Sequence, residues 1–479
     1  MQDHPELMRG LEALALSAAI LLVGGCAHYP ENARMKHHDP QGGYRFSTLS
    51  NAGNSDSMQV VLAFSGGGTR AAALSYGVLD KLARTEIVWE GQRRRLSDEV
   101  DMISSVSGGS FTAAYYALYG DQIFTDFDQK FLSRNIQRQM LWRFCSPRNW
   151  VRLASPHFNR SDLAAEFYDR KLFHGKTFGD LMEKNRRPFL SIKATDMSLG
   201  GGFEFTQDQF DFLCSDLSTF PVARAVAASA AFPILLSPVT VNNYAGSCEV
   251  VEPLWMASAL TNKWERSRRA VKARELRSYQ NARERPYVHL LDGGLTDNLG
   301  LRGPLEEAVA WGGARNTLQR LKLQQVRKIV IIAVNAESKK NRDWDRSKAP
   351  PNIVQVTMAL ATVPMNRYSF ETLEVYKESV KQWEAELNDA SPAGEAGTAL
   401  SNGTSPRVKL YMIDVSLDAL RDETERDYLA KLPTSLKLPH GAVERLRSDA
   451  ATLLEQSETY RELLRDLASE SHQSERASR

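Results

Sequence analysis

Apolar and polar positions along the chain follow two periods. Residues 59–64 (QVVLAF), 189–194 (FLSIKA), 287–291 (YVHLL), 326–334 (VRKIVIIAV) and 408–415 (VKLYMIDV) are short, apolar and largely β-branched or aromatic, which predicts strands. Residues 100–103 (VDMI) read as the end of another buried strand. Residues 71–82 (AAALSYGVLDKL) and 111–119 (FTAAYYALY) predict helices facing a core, residues 353–387 are mostly helical in pattern, and residues 438–469 form an amphipathic helix. Strands and helices alternate and no repeat is visible, so the expectation is one α/β domain over 58–470 with a mostly parallel central sheet flanked by helices.

Elsewhere the periodicity fades. Residues 26–57 are rich in Gly, Asn, Ser, Pro and His and predict a flexible tether, and the polar residues 471–479 predict a disordered tail. Residues 121–187 are irregular and carry Trp142, Phe144, Trp150, Phe158, Phe167, Tyr168 and Phe173, which suit either a cap over a cleft or packing on the sheet's flank.

The N-terminus is different in kind. Arg9 precedes an apolar run at 13–23, followed by Gly24, Gly25 and Cys26. A basic residue, a short apolar run and small residues before a cleavage point describe a secretory signal over 1–25, too short to span a bilayer comfortably. Asp3 and Glu6 spoil the first residues, so Met8 is the expected start. Cys26 after two glycines resembles a bacterial lipoprotein signal, which implies a lipidated Cys26 and, with Ala27 following, an anchor in the outer membrane facing the periplasm. The remaining cysteines are Cys145, Cys214 and Cys248, of which Cys214 and Cys248 could pair and leave Cys145 free.

Composition removes several function classes. The net charge of +2 over 479 residues argues against a nucleic-acid partner. No paired C-x-x-C or H-E-x-x-H spacing is present, so neither a metal nor a cofactor is expected. Residues 263–285 hold nine Lys or Arg against three Glu, which predicts a charged solvent-facing helix or, with Trp255 and Trp264 nearby, a contact with anionic lipid.

Two strand-to-helix turns carry the candidate chemistry. The first strand runs into Ser65-Gly66-Gly67-Gly68-Thr69-Arg70 and then a helix. There is no G-K-[ST] for a phosphate loop and no third glycine for a dinucleotide fingerprint. Backbone N–H groups from three successive glycines can instead converge on one oxyanion. The second turn, Ser105-Val106-Ser107-Gly108-Gly109, lies in the place of a G-x-S-x-G elbow, which would project the Ser107 hydroxyl at a helix N-terminus. A serine needs a base. His289 falls within a strand and reads as a sheet-face residue, and Asp196 as structural. Asp292 ends a strand and is followed by Gly293 and Gly294, which leave its carboxylate accessible.

Together with residues 225–233 (AVAASAAFP) and 292–300 (DGGLTDNLG), these blocks resemble the patatin-like phospholipases in order and spacing over about residues 59–303. The resemblance implies a three-layer patatin-like fold and a Ser107–Asp292 dyad. It further implies an oxyanion loop of Gly66, Gly67 and Gly68, with Arg70 holding that loop or neutralising charge beside it. Membrane phospholipids or lysophospholipids are the implied substrates, hydrolysed by a lipid-anchored serine esterase. An acyltransferase on the same dyad, and a silent lipoprotein used for binding or assembly, are the alternatives. Two positions depart from the family pattern. Ser105 replaces the elbow's first glycine, and Ser65 replaces an aspartate before the three glycines.

Overall fold

The computed structural model describes residues 27–51, 53–261, 264–337, 343–346, 348–389 and 407–477. The signal segment and Cys26 lie outside the described residues. Eight strands build the main sheet: β1 (Met58–Phe64), β2 (Val100–Val106), β3 (Phe189–Asp196), β4 (Gly202–Glu204), β5 (Val239–Asn242), β6 (Tyr287–Asp292), β7 (Lys328–Asn335) and β8 (Lys409–Ser416). Their order across the sheet is β8-β7-β1-β2-β3-β6-β5, with β4 beside β3. Strands β8, β7, β1, β2 and β3 are parallel to one another, whereas β6 runs antiparallel to both β3 and β5.

The pleat divides the apolar strands between two cores, since successive side chains point to opposite faces. Val60, Leu62 and Phe64 of β1, with Val330, Ile332 and Val334 of β7, enter the larger core. There they meet α1 (Gly68–Arg84), α2 (Gly108–Tyr119) and α3 (Val222–Ser229). Ala63, Ile331 and Ala333 face the other way, against Leu305 and against Leu373, Tyr376 and Val380 of the long helix α4 (Ile353–Asn388). The result is helix, sheet, helix: the expected three-layer α/β architecture with a mostly parallel sheet. Two C-terminal helices, α5 (Ala442–Gln456) and α6 (Glu458–Ala477), finish the chain.

Several expectations need correction. The flexible tether is not free after residue 26. Asn32 bonds Ser215 at 2.8 Å and the Asn242 carbonyl at 2.9 Å, and Ala33–Arg34 pairs with Ser215–Asp216. Tyr44 is fully buried, and Arg45 bridges Asp208 at 2.7 Å and Asp211 at 2.6 Å. Side-chain hydrogen bonds, a two-residue strand pairing and scattered apolar anchors such as Tyr44, Phe46 and Leu49 hold this stretch, so no apolar period announces it. The expected disordered tail is also shorter, because α6 continues to Ala477 through a sequence with no Gly or Pro to stop it. The single C-terminal helix is two, broken at Ser457.

The aromatic stretch packs on the flank. Phe158, Phe167, Tyr168 and Phe173 are buried, Tyr168 meeting Phe111 of α2 edge-on, while Trp142 and Trp150 face solvent. In the basic stretch, several cations of helix Arg268–Tyr279 and of the residues after it are engaged by protein partners, although Arg268 and Arg277 stay exposed. Lys272 pairs with Glu306 at 3.1 Å, Arg269 donates to the Ala310 carbonyl at 3.0 Å, and Arg277 and Arg285 pair with Glu252 and Asp196. Cys214 and Cys248 are joined, and Cys145 is exposed as a free thiol.

Candidate active site

The first strand and the second end side by side, and each opens into a helix within three residues. Ser107 stands between β2 and α2 with φ +47° and ψ −116°, a conformation few non-glycine residues adopt. Holding it costs on the order of 1–3 kcal/mol, a strain that native folds keep mainly at functional turns. The turn also brings two backbones into contact. A Cβ on Gly108 would lie 2.1 Å from the Gly68 carbonyl oxygen, so only glycine fits there. Gly66 is equally confined, since its Cβ would meet Asn298 Oδ1 at 2.4 Å and the Ser107 Cβ at 3.4 Å. The glycine loop therefore lies directly against the serine.

Asp292 reaches the same point from the other direction. It is the last residue of antiparallel β6 and pairs with Ala194 of β3, while Val106 of β2 pairs with Lys193 on the opposite edge of that strand. One residue past Val106, the Ser107 hydroxyl donates to Asp292 Oδ2 at 2.9 Å. Asp292 Oδ1 accepts the Gly294 N–H at 2.8 Å. Burial pushes the Asp292 carboxyl up to about 6, against the opposing pull of these two donors. His289 stays apart, exposed on the sheet and 3.1 Å from Thr240 Oγ1.

Among the described residues, no acceptor takes the N–H of Gly67, Gly68 or Gly108. The Gly66 N–H, expected in the oxyanion hole, is instead taken by the Asn298 carbonyl at 2.9 Å. Gly66 thus secures the loop while Gly67 and Gly68 remain open. The arrangement pairs a hydroxyl and its proton acceptor with free backbone donors at two helix N-termini, which is what acyl transfer to serine requires.

The family model for patatin-like phospholipase matches residues 62–305, just over half of the chain. The chain belongs to the patatin-like phospholipase family. Among solved structures, human GIVD cytosolic phospholipase A2 is similar over 87% of this chain and 63% of that chain, with 12% identity and a TM-score of 0.44. The same human protein in complex with methyl gamma-linolenyl fluorophosphonate has a TM-score of 0.40 at 11% identity, covering 87% of this chain and 60% of that one. VipD from Legionella pneumophila covers 87% of this chain and 71% of that one, with 12% identity and a TM-score of 0.26. The chain spans less than two thirds of the human protein's length. No curated protein sequence matches it.

The patatin-like blocks fit together through contacts that no single block reveals. Arg70 is buried, and it is not a surface salt bridge. Its guanidinium donates to the Ala336 carbonyl at 2.8 Å, to the Leu432 carbonyl and to Thr434 Oγ1 at 3.1 Å. It thereby ties the glycine loop to the end of β7 and to a C-terminal segment outside the family match. The neighbouring Thr69 N–H donates to the Ser435 carbonyl of the same segment at 2.9 Å. Ser65, where the family often has aspartate, accepts the Ala336 N–H at 2.9 Å on its hydroxyl. Ser105 is buried against β3, so the turn accommodates it within the sheet.

Two residues had no role in the sequence reading. Ser229, in the 225–233 block, accepts the Ser107 N–H on its Oγ at 2.8 Å, and its carbonyl accepts the Gly293 N–H at 3.1 Å. Asn298 wedges between Gly66 and Gly294. Both lie inside matched blocks, the only signal that pointed to them.

Proposed function

We propose that this chain is a serine lipid acyl hydrolase whose nucleophile is Ser107 and whose base is Asp292. The observation that carries the reading is the 2.9 Å hydrogen bond from Ser107 Oγ to Asp292, beside the unpaired N–H groups of Gly67, Gly68 and Gly108. Asp292 takes the hydroxyl proton as Oγ attacks an ester carbonyl. The carbonyl oxygen gains negative charge, which the unpaired glycine N–H groups stabilise. Collapse expels the alcohol, which leaves with the proton from Asp292. Water then attacks the acyl-serine as Asp292 takes its proton, and Asp292 returns that proton to Ser107 Oγ as the C–Oγ bond breaks and the fatty acid departs.

Membership in the patatin-like phospholipase family supports a lipid ester as substrate. The run at 13–23 followed by Gly24-Gly25-Cys26 supports anchoring of the chain by a lipidated Cys26 in a bacterial outer membrane. Hydrolysis of a nitrophenyl butyrate and of a fluorescent diacyl phospholipid tests the chemistry, with labelling by a fluorophosphonate. Ser107→Ala and Asp292→Asn are expected to lose at least about a thousandfold in turnover while remaining folded. Parent activity unchanged in either variant would reject the dyad. A Cys26→Ser chain that stays in the membrane fraction as the parent does would reject the anchor.

A further inference from the structure

The long helix α4 has two unlike halves. At 3.6 residues per turn, its buried residues Ser369, Thr372, Leu373, Tyr376 and Val380 share one face, turned to the body of the protein. On the opposite face, Arg367, Glu371, Glu374, Glu378 and Lys381 follow one another in the usual charged pattern of a solvated helix. Toward the N-terminus the same outward face changes character. Ile353, Val356, Leu360 and Val363 are 78%, 40%, 71% and 60% exposed, and Val354 beside them is 57% exposed. Three turns of aliphatic side chains thus point away from the protein, where water would favour polar ones.

The sequence of this arm carries no negative charge, since no acidic residue occurs from 346 to 370. The cation at its inner end, Arg367, pairs with Glu371 at 2.9 Å, and Arg346 and Lys348 are the basic residues at its outer end. Tyr368 and Phe370 are partly exposed at the inner end. An apolar stripe with cations at its outer end and aromatic rings at its inner end complements the boundary between anionic headgroups and acyl chains. The arm of about eleven residues is ~16 Å long, about half the thickness of a bilayer core, and no described helix is long and apolar enough to cross a membrane. It would lie in the interface, not span it.

Its inner end rests on the candidate active site. The Met365 sulfur is 3.1 Å from where a Cβ on Gly294 would stand, and Gly294 holds the Asp292 carboxylate through its N–H. We infer that residues 353–363 form a membrane-docking arm that inserts its Ile353, Val356, Leu360 and Val363 face into the surface of an anionic bilayer. The inference rests on the reading of a membrane lipid as substrate, because docking there sets the dyad's loop at the surface from which a lipid would be drawn.

An environment-sensitive fluorophore reads the arm directly. It is attached at Leu360→Cys in the full chain, with Cys26→Ser and Cys145→Ser removing the other free thiols. On vesicles of phosphatidylethanolamine with phosphatidylglycerol, the emission at position 360 is expected to shift to the blue and to be quenched by brominated acyl chains. The same label at Lys381→Cys, on the charged part of the face, is expected to stay in water. A label at 360 that remains in water while the chain sediments with vesicles overturns the inference, as does failure to sediment at all. A blue shift without vesicles that grows with protein concentration would assign the stripe to a second copy of the chain instead.

Turnover separates this surface from the chemistry. Val356→Glu with Leu360→Glu is expected to lower hydrolysis of vesicular phospholipid at least tenfold and leave nitrophenyl butyrate within twofold. An equal loss on both substrates overturns the docking role. A parent chain that hydrolyses neither ester refutes the proposed function, and the probe at position 360 still decides the docking surface.

Discussion

Ser107 Oγ donates to Asp292 Oδ2 at 2.9 Å across strand β3, although β2 enters the site parallel to β3 and β6 enters it antiparallel. The meeting depends on register. Val106 pairs with Lys193 and Asp292 with Ala194, so the residue after one strand end stands level with the last residue of the other. A shift of β6 by one residue would turn Asp292 to the opposite face of the sheet and leave the serine without a base.

With Asp292 as the proposed base, its acidity is expected to set the lower limit of the working pH. Burial holds its carboxyl at about 6, and only the carboxylate can accept the serine proton. For a soluble short-chain ester, kcat/KM is expected to fall about tenfold per pH unit below about 6 and to be level from 7 to 8. An acid limb centred near pH 4 would mean that the group titrates as an exposed aspartate does.

The same group bears on stability. The carboxyl binds its proton more tightly in the folded chain, at about 6, than in the unfolded chain, near 3.9. Its contribution is therefore most favourable below about pH 4 and is lost as pH rises through about 6. Asp292→Asn keeps an acceptor for the Gly294 N–H and a donor for the Ser107 oxygen but carries no charge to desolvate. The variant is expected to be more stable than the parent at pH 8, by on the order of 2 kcal/mol, and to lose that advantage by pH 4. Urea unfolding of both chains at the two pH values checks it, and a variant less stable at pH 8 would contradict it.

Arg70 offers a test of how the glycine loop is held. Three of its donors satisfy the buried Ala336 and Leu432 carbonyls and the exposed Thr434 hydroxyl, around a guanidinium whose charge is itself desolvated. Arg70→Met leaves those acceptors unpaired and is expected to lower stability by ~2–4 kcal/mol and to lower kcat. Arg70→Lys should recover only part of either, because one ammonium cannot reproduce the planar fork. Retention of full stability in Arg70→Met, measured by urea unfolding, would show that these hydrogen bonds do not hold the loop.

What the sequence made legible is local. Each strand-to-helix turn is written in consecutive residues, so Gly67, Gly68 and Ser107 are recognisable by type and order. Asp292 is recognisable by the two glycines after it. The sense of β6 is not legible, because nothing within residues 287–292 says which way the preceding connection returns the chain. Asp292 is legible as the end of a strand, and that strand proves to be antiparallel to β3. The Gly66 N–H illustrates the same limit. Its partner, the Asn298 carbonyl, lies far along the chain, and only the folded contact shows that this donor is already engaged. Residues 27–57 bind through scattered side chains such as Asn32, Tyr44 and Arg45, with no period to detect.

Ser229 is the contact that links the 225–233 block to the nucleophile. Its Oγ accepts the Ser107 N–H at 2.8 Å and lies 3.0 Å from the Ser110 Oγ, while its carbonyl holds Gly293 beside Asp292. The side chain therefore steadies a backbone that is strained at φ +47°, and the main chain steadies the base. Ser229→Ala removes only the first of these. The Ser107 N–H then has no protein acceptor, and the elbow can relax toward an ordinary turn that moves Oγ away from Asp292. Stability is expected to fall by ~1–3 kcal/mol, the cost of an unpaired buried donor. Because the loss falls on the aim of the nucleophile and not on a substrate contact, kcat should drop at least tenfold with KM nearly unchanged. Fluorophosphonate labelling of Ser107 should slow in proportion to kcat. A variant that labels at the parent rate would show that the elbow holds its shape without Ser229.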